Sequence, residues 1–384
     1  MHETDVNAAR QFEYATVPAV PLADDADLVR RVASSYCRAV EEFDGHGTSF
    51  WKGFEDRHSG FKEAFSSNDL ASLGNLLRNP AETELHRGFD DLVAPYVKER
   101  SENPDRCHAG AQTMFDYLEQ IAFGTGALRC PYPPQHGEAK SGLSVNEILE
   151  SLDARFGFRI DFPNPFAHEF GLRTDRGIAS YRAIQAIYQA WRVKQIALHV
   201  NGNRVLEIGA GLGRNAYHAR KSGIEQYTIV DIPNTQLAQS YYLARIMGEQ
   251  TVSFCAETDE RPVRLRSPKW LSQTSEKFDV VINVDSLTEM DRDHALSYIK
   301  FARDKSRSFL SINHEFNAAT VAQLAAEAGM AAIARSPYWP RPGYVEETFI
   351  SQYGDDGEQL RAMRASTSWR VTAPLRALKS AIWH

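Results

Sequence analysis

The spacing of apolar positions changes character partway along the chain. From about Leu28 to Gln120 apolar residues recur at helical intervals: Leu28, Val32 and Tyr36 with Val40 and Phe43, then Leu70, Leu73, Leu76 and Leu77. Asn79-Pro80 reads as a helix stop followed by a new start. A loop-rich stretch runs from Phe123-Gly124-Thr125-Gly126 to Pro131-Tyr132-Pro133-Pro134, and a short helix is predicted over 144–156. After a loop with Pro163, Asn164 and Pro165 comes a long helix, about 178–199, with Ile184, Tyr188, Trp191 and Gln195 on one side. That stripe reads as core packing.

Beyond it, short apolar runs alternate with helical patterns. Strands are predicted at 204–208, 227–230, 252–255, 279–284 and 308–312, and helices at 215–222, 235–247, 294–305 and 318–328. Such alternation implies a parallel sheet covered by helices on both faces, a doubly wound α/β fold. Two late segments, 331–336 and 347–352, could close the sheet, one of them antiparallel. The expected organisation is a loose N-terminal arm over 1–25, a mainly helical acceptor or cap domain over 26–175, a Rossmann-like domain over 176–355 and a C-terminal tail over 356–384.

Composition narrows the class only a little. The 384 residues are 43% hydrophobic and 24% charged, enough for a sizeable core. A net charge of −7 gives no reason to expect nucleic-acid binding. Cys37, Cys107, Cys130 and Cys255 are not spaced as a zinc or redox motif and read as reduced thiols, so a cytoplasmic location is expected. The start of the chain carries no apolar signal core, and no apolar run approaches the length of a membrane helix.

The candidate chemistry sits at the first predicted strand. Val205-Leu206-Glu207-Ile208-Gly209-Ala210-Gly211-Leu212-Gly213-Arg214 leads from strand to helix, and the second strand ends in Asp231. Glycines there let the backbone turn tightly and approach a ligand. An acid at the end of the second strand can accept both ribose hydroxyls of a nucleoside. Gly209 and Gly211 fit the dinucleotide fingerprint, but Arg214 stands where its third glycine belongs. Glu207 opposes a pyrophosphate, whose site wants positive potential. The same carboxylate suits the sulfonium and ammonium of S-adenosylmethionine, so E-x-G-x-G-x-G favours that cofactor over NAD.

These residues, with Ile232-Pro233 after Asp231 and the segment 278–290, resemble class I S-adenosylmethionine-dependent methyltransferases. Further pieces resemble the bacterial sugar O-methyltransferase family: Arg173 to Gly177 with the helix after them, Tyr227-Thr228-Ile229-Val230-Asp231-Ile232-Pro233, Glu289-Met290, and Tyr338-Trp339-Pro340-Arg341-Pro342-Gly343-Tyr344-Val345-Glu346-Glu347. The resemblance covers roughly residues 140 to 352. It implies a Rossmann-like class I methyltransferase fold and a methyl group passed to a hydroxyl of a sugar or surface-glycan intermediate. It also implies that Glu207, Gly209 and Gly211 line the methionine part of the cofactor, that Asp231 holds the ribose, that Gly213 and Ile232 belong to the same cofactor site, that Glu257 or Asp259 touches the adenine amine, and that residues near Asn283 and Asp285 approach the sulfonium.

A sugar hydroxyl is a poor nucleophile, so a base or metal is useful. Asn283-Val284-Asp285-Ser286 stands where an N-methyltransferase would carry N-P-P-Y, so that class is not supported. The candidates for catalysis are Asp285, at the carboxyl end of a strand, His314 in Asn313-His314-Glu315, and Glu289. Each has a plainer role available, as a loop cap, a surface group or a helix cap. Asp285, Glu289, His314 and Glu315 could together hold magnesium, though their spacing does not demand it, and no metal site is assigned. His294 reads as structural in a helix first turn. Tyr338, Trp339, Arg341 and Tyr344 could stack on and bind an acceptor, or form a rigid connection. Arg173 and Arg176 are acceptor candidates with surface ion pairing as the alternative.

After Glu358 the tail is basic and amphipathic, with Arg361, Arg364, Arg370, Arg376 and Lys379 among Met363, Trp369, Leu375, Leu378 and Trp383. Ser366 to Arg376 resembles a C-terminal motif of bacterial glycosyltransferases and related surface-polysaccharide enzymes. The tail could therefore meet an anionic membrane surface or a glycosyltransferase, or pack as a terminal helix. The helical half could serve specificity or homo-oligomerisation. The remaining alternatives are a methyltransferase of another small molecule, an NAD oxidoreductase and a cofactor-binding partner protein without turnover.

Overall fold

In the computed structural model the described residues are 12–19, 25–43, 64, 65, 67, 69–130 and 141–350. The tail predicted over 356–384 lies outside them.

The chain opens with a short strand, β1 (Tyr14–Thr16), inside the segment expected to be a loose arm. Helices follow: α1 (Ala26–Glu42), α2 (Leu70–Arg78), α3 (Ala94–Glu102), α4 (Pro104–Gly124) and α5 (Val145–Phe156). Asp69 starts α2 by accepting from the backbone N–H of Ala71 and Ser72, and Ser144 with Glu147 forms a capping box on α5. Next come β2 (Phe170–Thr174) and β3 (Gly177–Ala179), which with β1 make a small antiparallel sheet that the apolar pattern does not show.

The second half is the alternating unit: α6 (Tyr181–His199), β4 (Arg204–Ile208), α7 (Arg214–Lys221), β5 (Gln226–Val230), α8 (Pro233–Met247), β6 (Val252–Ser253), β7 (Val263–Arg266), α9 (Pro268–Gln273), β8 (Phe278–Val284), α10 (Arg292–Lys305), β9 (Ser306–His314), α11 (Val321–Glu327), β10 (Ala331–Pro337) and β11 (Tyr344–Ile350). On α6, Ile184 and Tyr188 are buried as the stripe predicts, whereas Gln195 is exposed.

The eight strands pair in the order β10-β11-β9-β8-β4-β5-β7-β6. All pairs are parallel except those of β11, which runs antiparallel to both β9 and β10. This is an α/β, Rossmann-like doubly wound sheet. The strand predicted over 252–255 is only two residues long and sits at the edge. The strand beside β5 is β7, Val-Arg-Leu-Arg, which two buried arginines conceal. Arg264 is held by Glu276 and Thr228, and Arg266 by Ser253 and backbone carbonyls.

One face of the sheet carries Val205, Tyr227 and Ile229 against α7 and α8. Leu28, Val32, Leu73 and Leu77 of the first helices belong to the same core, so α1 and α2 pack directly on the alternating half. The other face packs Leu206, Ile208 and Phe309 under α9, α10 and α11. A third core joins α4 and α5 to β2, β3 and the first half of α6.

Candidate functional site

The carboxyl ends of β4, β5 and β8 open onto a cavity of about 240 Å³. The β4–α7 turn forms its floor. Gly209 and Gly211 have φ of 69° and 56°, the left-handed region open to glycine. A Cβ on Gly209 would lie 2.2 Å from Ser286 Oγ, and one on Gly211 would meet Phe89 at 3.3 Å. The turn is thus pressed between the end of β8 and the loop before α3.

Two carboxylates project here without a cationic partner among the described residues. Asp231 accepts from the N–H of Ala210 at 3.0 Å and of Ile232 at 2.9 Å. Burial outweighs those bonds and pushes it up to about 7. Glu207, 2% exposed, accepts from Tyr227 OH at 2.8 Å and Asn215 Nδ2 at 3.2 Å. Burial lifts it to about 7 as well. A ligand offering hydroxyls to Asp231 and positive charge near Glu207 would satisfy both.

Arg214 does not face a phosphate. Its buried guanidinium pairs with Asp90 and Glu169, each at 2.9 Å, and donates to Tyr242 OH at 3.0 Å. Burial opposes the charge on Asp90, but Arg214 holds its carboxyl below the ordinary range. This cluster ties α7 to the helical half, which also supplies Phe43, Gly88, Phe89 and Asp90 to the cavity wall.

Of the residues expected to bind a cofactor, Glu207, Gly209, Gly211, Asp231 and Ile232 line the cavity. Gly213, Asn283 and Glu257 do not. Gly213 is the cap of α7 and packs toward Leu243. Asn283 is fully buried behind the turn, donating to Ile208 O at 2.8 Å and accepting from Asn313 Nδ2 at 2.8 Å, so it braces strand ends. Glu257 is drawn away by Arg31, with both carboxylate oxygens at 2.7 Å from the guanidinium. Asp259 pairs with Arg261.

At the other end of the cavity stands Asp285, in the left-handed region with φ 57°. Arg341 donates to its Oδ2 at 2.6 Å and Tyr344 OH to its Oδ1 at 2.7 Å. Asp285, Glu289 and His314 can each present one ligand atom, all within 4.8 Å of one another. This set of two carboxylates and an imidazole suits a divalent cation in kind, but a cation would have to compete with Arg341 for Asp285. Glu315 is turned to Arg335 at 2.8 Å. Neither His314 nor Glu289 is part of the cavity wall; they stand beside it through Asp285. His314 Nδ1 accepts from Phe316 N–H at 3.3 Å, and Nε2 is 3.4 Å from Thr288 Oγ1.

The acceptor candidates divide. Arg341 and Tyr344 reach the site through Asp285. Tyr338 is buried in the core beside Tyr188. Trp339 packs edge-on against Tyr188 at 4.7 Å and against Gly124 of α4. Arg176 is nearly buried in an ion pair with Asp153 and a bond to Ile160 O. Arg173 is exposed and pairs with Glu13. None of these four lines the cavity.

The wall also contains residues that the sequence does not point to as cofactor or acceptor ligands. Arg182, Gln185, Ala186 and Gln189 of α6 face the cavity at helical spacing. So do Met290, Asp291, His294 and Tyr298 around the start of α10. Asp291 caps α10 through the N–H of His294 at 3.1 Å and also binds the His294 ring at Nδ1. The D-x-x-H spacing before an apolar run is the available signal.

No family model matches the chain, and no curated protein matches it. Solved structures align with part of the chain. The CcbJ methyltransferase from Streptomyces caelestis is 12% identical, with 44% of this chain and 89% of that one covered and a TM-score of 0.35. Magnesium protoporphyrin IX methyltransferase (ChlM) from Synechocystis PCC 6803 with bound SAM is 14% identical, over 46% and 86%, at 0.33. The glycopeptide N-methyltransferase MtfA complexed with sinefungin is 16% identical, over 42% and 86%, at 0.32. At scores this low the functional reading rests on the strand order and the site geometry.

Proposed function

We propose that this chain is an S-adenosylmethionine-dependent O-methyltransferase acting on a hydroxyl of a sugar, glycan intermediate or comparable small molecule. The observation that carries the reading is the pair Glu207 and Asp231: two acids at the glycine turn, without cationic partners among the described residues, where a dinucleotide would need positive potential. Asp231 would accept the ribose hydroxyls, and Glu207 would face the positive charge of the amino-acid end. Phe89 and the Arg214–Asp90 cluster close the turn from the helical side.

When bound, S-adenosylmethionine would supply an electrophilic methyl group, the acceptor oxygen taking the methyl carbon while the C–S electron pair stayed on sulfur. The acceptor proton passes to the group formed by Asp285, Glu289 and His314 beside the cavity. Arg341 and Tyr344 fix Asp285 for that role. Positioning provides much of the rate. A tail that resembles polysaccharide enzymes supports a glycan acceptor.

The test is transfer of labelled methyl from S-adenosylmethionine to a panel of sugars, nucleotide sugars and glycan extracts, read by mass spectrometry. A methyl ether on a sugar supports the reading. A labelled product methylated on nitrogen, or none from a chain that binds the cofactor, would remove the O-methyl assignment.

A further inference from the structure

We propose that Arg182 and Gln185, at the start of α6, form a carboxylate-binding subsite in the cavity wall. This rests on the cofactor reading above and deepens it.

Gln185 is 3% exposed, lines the cavity, and its amide Nε2 has no hydrogen-bond partner among the described residues. Arg182 lines the same wall and its Nε is likewise buried without a partner. An orphaned buried donor is costly, so a ligand oxygen at this place recovers what the fold leaves unmade. Residues three apart on a helix share a face, and both side chains line this wall. Arg182 comes no nearer to the Asp285 carboxylate than 3.9 Å, beyond hydrogen-bond length, and Asp285 is already held by Arg341 and Tyr344. A guanidinium with an amide beside it takes a planar, two-oxygen anion. Both lie in the first turns of α6, where the backbone N–H groups also favour negative charge.

The carboxylate has two sources: the amino-acid end of the cofactor, or an acid carried by the acceptor. Full-length Arg182→Gln, Arg182→Lys and Gln185→Leu separate them by calorimetric titration. S-adenosylhomocysteine carries the amino-acid carboxylate; 5′-methylthioadenosine lacks it. If the cofactor supplies the anion, Arg182→Gln weakens S-adenosylhomocysteine at least about tenfold and Gln185→Leu about threefold, with Arg182→Lys between them and methylthioadenosine unchanged. If the acceptor supplies it, S-adenosylhomocysteine is unaffected, while D-glucuronate binds the wild type but not Arg182→Gln, and D-glucose binds neither.

Unchanged binding of both S-adenosylhomocysteine and glucuronate in all three variants overturns the subsite. So does an equal loss for methylthioadenosine, which would report damage to the whole cavity. A wild-type chain that binds neither nucleoside but binds glucuronate through Arg182 would sink the cofactor reading and leave the subsite standing.

Discussion

Asp231 and Asp285 stand at the carboxyl ends of two parallel strands, on opposite sides of β4, and line one cavity, yet their surroundings are opposite. Asp231 receives backbone N–H groups and no cation among the described residues, and burial pushes it up to about 7. Asp285 has a guanidinium on one oxygen and a phenol on the other, with a second guanidinium 3.9 Å away. The first is built to receive hydroxyls from outside the chain. The second is held by the chain itself, and its direction is fixed before anything binds. One edge of a sheet can therefore carry a binding acid and a positioned acid, distinguished by whether the protein provides their partners.

Removing the binding acid should have the largest effect. Asp231→Ala is expected to weaken S-adenosylmethionine by about 100-fold, since hydrogen bonds to a charged group are each worth about 1.5–3 kcal/mol. Titration calorimetry checks this, and unchanged affinity would erase the contrast with Asp285.

Loosening the positioned acid should act on turnover instead. Arg341→Met leaves Asp285 with Tyr344 but without its closest guanidinium. The expected result is a fall in kcat of about tenfold with cofactor affinity unchanged, and a stability loss of about 1–3 kcal/mol from the unmatched, mostly buried carboxylate. Parallel steady-state kinetics and thermal melts would show it.

Proton linkage sharpens the same comparison. Glu207 is raised in the folded chain from 4.5 to about 7, so the folded state holds the extra proton between those values. Its contribution to stability is full below about 4.5 and is lost as pH rises through about 7, by about 3 kcal/mol. A cationic ligand favours the ionised form. Affinity for S-adenosylmethionine should therefore rise about tenfold from pH 6 to pH 8 on account of Glu207, with proton release on binding near pH 6. Glu207→Gln should reduce both dependences and leave the part that Asp231 carries, measured by melts across pH and by calorimetry in buffers of different ionisation enthalpy.

The smallest effect is expected at the turn. Gly211→Ala meets Phe89 at 3.3 Å and must hold φ at 56°, which should cost about 1 kcal/mol in a denaturation titration.

Much of this contrast is legible in the chain, but unevenly. The glycine turn and Asp231 can be read because strand, turn and helix are contiguous and local chemistry fixes them. Strand β7 is hidden because Arg264 and Arg266 are neutralised by partners distant in sequence. The helix carrying Arg182 and Gln185 reads as packing, since an apolar stripe does not show which polar neighbours meet a cavity. Tyr338-Trp339 and Arg341…Tyr344 share one loop, yet the first pair enters the core and the second reaches Asp285. Nor can an acceptor role for Arg176 be told from its pairing with Asp153, because that carboxylate lies on α5.

The most direct test is calorimetric titration of the full chain at pH 8 with S-adenosylmethionine and, in parallel, with NAD. The account predicts one saturable site for S-adenosylmethionine, abolished or strongly weakened in Asp231→Ala, and no binding of NAD. Saturable NAD binding with none for S-adenosylmethionine would contradict it.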